Sequence, residues 1–88
     1  MAKNRDNRAG SEQYFEFMTR TIKSYGTRAR AQEVDLDSLT QLRELQRLLD
    51  EQTSEVVSAL HEDGFSWSQI GGALGMDRSN AAKKYGSR

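Results

Sequence analysis

The stretch from Leu60 to Gly86, LHEDGFSWSQIGGALGMDRSNAAKKYG, constrains this chain more than any other. It holds two helix starts and two glycine stops in close succession. Ser66 and Gln69 have the S-x-x-Q spacing of a capping box, in which each side chain satisfies a backbone group of the other, so a helix should begin at Trp67. Ile70, Gly71 and Leu74 then supply a face that can pack. Gly75 is where the backbone must turn with positive φ, a conformation that costs glycine nothing. Asp77 can accept from N–H groups two or three residues on and so open a second helix. That helix runs through AAKKY and stops at Gly86. The spacing predicts helix, tight turn, helix, with Gly71 small enough to let the two approach closely.

The rest of the chain is expected to be helical as well. It has 88 residues, no proline, and charged side chains at 30% of positions, which suits one small all-α domain with a modest core. There is no cysteine and only one histidine, so neither a disulfide framework nor a zinc site is expected. No cofactor is expected. The sequence contains no apolar run of membrane-spanning length and no signal-peptide pattern, which predicts a cytoplasmic location.

The formal charge of zero conceals an uneven distribution. Residues 1–30 carry seven Lys/Arg against three Asp/Glu, a net +4; residues 31–65 carry two against nine, a net −7; residues 66–88 carry four against one, a net +3. Basic ends around an acidic middle can draw phosphate to one surface and repel it from another. A solvated surface with uneven charge is the plain alternative.

Residues 1–10, MAKNRDNRAG, are polar and without periodicity, and are expected to form a disordered basic arm. Lys3, Arg5 and Arg8 are candidates to follow a phosphate backbone or enter a minor groove; a tail that only aids solubility is the other reading. Ser11 is expected to cap a helix from Glu12 to about Tyr25. Tyr14, Met18, Ile22 and Tyr25 recur at helical spacing, and Phe15 and Phe17 widen the apolar side. A lone helix does not leave that much aromatic surface wet. Core or subunit contact accounts for it better than a base-stacking platform.

Gly26 is expected to end this helix, with GTRARAQEVD as a linker. Asp35 or Asp37 should open the longest element, where Leu36, Leu39, Leu42, Leu45, Leu48, Leu49, Val56 and Leu60 form a stripe reaching about Glu62. Leu42, Leu45, Leu49 and Val56 give it heptad character, interrupted at Gln52. The stripe serves either as an intramolecular seam for the aromatic helix or as a dimer interface. Its length exceeds what so small a core covers, which favours a homodimer through residues 11–62. Residues 63–88 complete the expected single compact domain as the helix-turn-helix unit.

Three local patterns invite other chemistry. His61, Asp63 and Ser66 lie within six residues at a helix end, without a scaffold for a pocket or an oxyanion hole, so no catalytic residue and no enzyme are expected. Gly71-Gly72-x-x-Gly75 lies inside a helix pattern rather than between strand and helix, so close packing explains it better than a phosphate cradle. Trp67 is expected to cover Leu60 and Phe65.

In the second short helix, 100° per residue puts Ala81 and Tyr85 on the core side with Met76. Ser79 and Lys83 point away, with Asn80 and Ala82 on the shoulders. These would meet base edges if the helix entered a major groove. Asn80 suits bidentate pairing with adenine, Lys83 donation to guanine, Ser79 either, and the Ala82 methyl a thymine methyl. Arg78 and Lys84 lie nearer the flanks, where phosphate contacts position without specifying. Ser68, Gln69 and the first N–H groups of the Trp67 helix could hold another phosphate.

Gly64, Ser66-Trp67, Ile70-Gly71, Leu74-Gly75, Arg78, Ala81 and Gly86 together make the pattern G-x-S-W-x-x-I-G-x-x-L-G-x-x-R-x-x-A-x-x-x-x-G. This resembles the DNA-binding helix-turn-helix family, most closely the form in region 4 of bacterial sigma factors and in small actinobacterial or phage regulators. The resemblance covers about a third of the chain. It departs at Asn80, where a small residue is common, and at Lys84, where an apolar one is frequent; base preference therefore does not carry over. It implies a sequence-specific binder of double-stranded DNA, associated with the nucleoid and acting as a small transcriptional regulator. The chain is too short to add a sigma factor's promoter-melting regions or a recombinase catalytic domain. A helical protein-interaction adaptor and a segregation or excision-type architectural protein are the alternatives.

Overall fold

The computed structural model describes residues 2–86, with side chains from Gly10 onward. The chain is all-α: α1 spans Ala2–Arg30, α2 Leu36–Glu62, α3 Trp67–Leu74 and α4 Arg78–Tyr85, with no strand among the described residues. It divides into two compact units at the Gln41–Leu42 bond, inside α2. The later turns of α2 contribute Val57 to the small core that α3 and α4 complete.

In the first unit, α1 is longer than its sequence suggests. Its backbone is helical through residues 2–10, expected as a disordered arm, and through Gly26, expected as a stop. Glycine inside a helix costs about 1 kcal/mol relative to alanine but forbids nothing, and no proline interrupts the run. The side chains of Lys3, Arg5 and Arg8 lie outside those described. The turn instead comes at Gln32, whose φ is 60°, and Glu33 N–H closes back onto the Arg28 carbonyl at 2.7 Å. Asp35 then caps α2, its Oδ1 accepting from Ser38 N–H at 3.2 Å. Tyr25 is half-buried and its hydroxyl donates to Gln41 Oε1 at 2.9 Å. On the aromatic face, Tyr14, Phe15 and Phe17 are 72%, 66% and 57% exposed.

The second unit is held by a very small core. Val57 from α2, Ile70 from α3 and Ala81 from α4 are its buried apolar side chains. Burying a Val or Ile contributes about 1.5–3 kcal/mol, so cap geometry matters greatly for helices of only eight residues. Along α2, Leu42, Leu45 and Leu60 are half-buried, whereas Leu49 and Val56 are exposed. The Glu44–Arg47–Glu51 cluster lies on the opposite side of α2 from that stripe; Arg47 pairs with both carboxylates. Its guanidinium holds the Glu44 carboxyl below the usual range, chiefly by donating hydrogen bonds to it.

Candidate nucleic-acid interface

Both ends of the helix–turn–helix unit are built as the sequence implies. Ser66 Oγ accepts from Gln69 N–H at 3.1 Å while Gln69 Oε1 accepts from Ser66 N–H at 2.9 Å, a complete capping box. Gly75 sits at φ 72°, and Met76 N–H closes onto the Gly71 carbonyl at 2.8 Å. A Cβ on Gly71 would lie 2.7 Å from the Met76 carbonyl oxygen. Gly71 thus allows the close approach of the turn to α3. Asp77 opens α4 by accepting from Asn80 N–H at 2.9 Å.

These restraints set which side chains of α4 face outward. Ala81 is fully buried, with Met76 and Tyr85 half-buried beside it. Arg78, Ser79, Asn80, Lys83 and Lys84 are exposed. Ser79 and Lys83 lie about 160° from Ala81 on either side of the helix, so they form its outermost row. Lys84 turns to the flank, its Nζ 5.5 Å from the centre of the Tyr85 ring. Ala82 is half-buried, leaving its methyl partly available.

Two of the candidate residues already have partners. Asn80 Nδ2 donates to Asp77 Oδ2 at 3.4 Å, so its side chain is clasped by the residue that caps the helix. Gln69 commits its carbonyl oxygen to the capping box and keeps only its amide NH2 for another group. Ser68 is exposed at the first turn of α3. Spacing of Asp77 and Asn80 could have revealed the clasp, since Asp and Asn three apart at a helix start readily meet.

Trp67 has a partner that the sequence did not reveal. It stacks on His61, ring centroids 4.1 Å apart and planes 24° from parallel. A Cβ on Gly86 would meet its Cζ2 at 3.2 Å. The indole therefore ties the end of α2 to the ends of α3 and α4. His61 Nδ1 also lies 3.2 Å from the Phe65 carbonyl oxygen, and Ser66 Oγ is occupied by the cap. Of the three residues weighed for hydrolase chemistry, His61 and Ser66 thus have structural partners. No pattern of short period links His61 to Trp67, and sequence spacing offered no signal for their stacking.

The architecture is that of an all-α chain whose last two helices form a tightly turned pair with a polar outer row flanked by Arg78 and Lys84. No known protein family, characterised protein or solved structure matches the chain.

Proposed function

We propose that the chain is a sequence-specific binder of double-stranded DNA that lays α4 in the major groove. The observation carrying this reading is the division of α4 into two faces. Ala81 is fully buried, while Ser79, Asn80 and Lys83 stand exposed on the side away from it. Ser79, Asn80 and Lys83 read base edges, and Arg78, Lys84 and Ser68 meet phosphates. Gln69 contributes through its free amide NH2. The net +3 of residues 66–88 draws this end to the duplex, and the acidic middle turns the other surface away. The protein acts as a small, non-enzymatic transcriptional regulator at the nucleoid, bound as a homodimer on two half-sites.

The test is selection from a pool of random duplexes at near-physiological salt, followed by sequencing. An enriched motif with two related half-sites is expected, and Lys83→Ala and Arg78→Ala should each weaken binding at least tenfold with unchanged helicity. Binding without enrichment that vanishes as salt rises would leave only the sequence-independent phosphate attraction. That result would refute the reading and favour the adaptor.

A further inference from the structure

The molecule leaves two apolar faces uncovered. On α1, Tyr14, Phe15, Phe17, Met18 and Ile22 are 42–72% exposed, and at 100° per residue they occupy one side, with Arg20 and Lys23 behind them. On the second unit, Leu49, Val56, Leu60, Ile70 and Leu74 line an open apolar groove of about 320 Å³. An apolar cavity of about 150 Å³ accepts a benzene molecule, so this groove has room for two aromatic rings. Leu49 and Val56 at this groove are 57% and 56% exposed.

Charge selects what covers these faces. Residues 2–30 hold seven Lys/Arg and three Asp/Glu, a net +4, whereas residues 36–62 hold two and six, a net −4. Pairing α2 with α2 brings like-charged helices together. Pairing α1 with α2 brings opposite ones together, at no loss of apolar contact. Arg28, held over the Tyr25 ring at 4.8 Å, flanks the aromatic face. Asp50 flanks the leucine stripe.

We propose that the occupant is a second copy of this chain, whose α1 aromatic face docks into the α2–α3 groove, reciprocally. The homodimer itself belongs to the reading given above; the exchange of α1 between copies, rather than an α2–α2 coiled coil, is the new element. Such an interface is isologous and closes at two copies. It also leaves the outer row of α4 uncovered in each copy, since the groove lies on the α2 side of α3.

The absence of cysteine makes the test clean. Gln13→Cys, beside Tyr14, and Gln52→Cys, at the groove, are prepared in separate full-length chains carrying different tags. They are mixed and treated with a short bismaleimide. Linkage between the Gln13→Cys chain and the Gln52→Cys chain is expected to exceed Gln52→Cys self-linkage several-fold. Predominant self-linkage at position 52 would overturn the proposal in favour of an α2–α2 seam. A chain carrying both cysteines that gives only intramolecular linkage, or a monomer at every concentration in light scattering, would overturn it too. Phe17→Ala, at a position exposed in the single chain, should raise the dimer dissociation constant at least tenfold without loss of helicity, and salt should weaken the dimer. None of these readouts involves DNA, so they stand or fall apart from duplex binding.

Discussion

Adjacent glycines in α3 should respond to alanine in opposite directions. At Gly71 the added Cβ would sit 2.7 Å from the Met76 carbonyl oxygen and 3.3 Å from that of Asp77. Both obstacles are backbone, in a turn fixed by the Met76 N–H bond to the Gly71 carbonyl, so the chain itself must move. Overpacking of this kind costs about 1–3 kcal/mol, and alanine's better helix propensity returns about 1 kcal/mol. Gly71→Ala should therefore destabilise the second unit by up to about 2 kcal/mol. At Gly72 nothing lies within 4 Å of the added Cβ, so only the propensity gain of about 1 kcal/mol remains. Urea unfolding at one protein concentration, followed by the fluorescence of the sole tryptophan, Trp67, reports on this unit directly. With a urea slope of about 1 kcal/mol/M the two midpoints should separate by about 1–3 M, on opposite sides of the parent. A Gly71→Ala midpoint at or above the parent, or two variants moving together, would refute the account of the turn.

Other perturbations follow from the same geometry. Ser66→Ala and Asp77→Ala each remove a cap acceptor and should cost about 1 kcal/mol in the same unfolding assay. Gln32→Gly relieves a left-handed backbone (φ 60°) and should stabilise the first unit by up to about 1 kcal/mol, seen as a later loss of far-ultraviolet helicity. Because Arg47 lowers the Glu44 pKa, its contribution is present above the ordinary carboxylate pKa and fades as pH falls through the lowered one. Arg47→Gln should thus be slightly less helical than the parent at neutral pH and match it once Glu44 is protonated. A circular-dichroism pH titration decides this; a difference that persists in acid would remove the ion pair as its cause.

What the sequence made legible is local. Ser66, Gln69, Gly75 and Asp77 specify their conformations through neighbours three or four residues away, and each does in the structure what its spacing implies. The extent of α2 to Glu62 was legible for the same reason, since a stripe at helical period needs no tertiary information. Gly26 misled because glycine weakens a helix without stopping it, and Gln32 adopts the left-handed turn although it lacks glycine's freedom. The stacking of His61 on Trp67 was not legible, being decided by how the Gly64 turn (φ 102°) returns the chain. Nor did the aromatic spacing of α1 reveal whether its partner lies within the chain, because periodicity fixes a face and is silent on what covers it.

On the proposed reading, the two eight-residue helices carry stability and recognition on largely separate side chains. Helices so short do not persist alone in water, and here backbone caps and the buried Ile70 and Ala81 compensate. None of those groups lies on the outer row of α4. Ser79 and Lys83 are therefore free to change with little effect on folding, and on the proposed reading base preference would shift at those positions without rebuilding the unit. Asn80 is the exception. Its side chain donates to the Asp77 carboxylate that also caps α4, so pairing with a base must either break that contact or use the donor and acceptor it leaves free. If the proposed reading holds, a substitution at Asn80 should move stability and base preference together, whereas one at Lys83 should move binding alone. On the proposed reading, recognition is coupled to the fold at the first turns of α3 and α4, through Gln69 and Asn80.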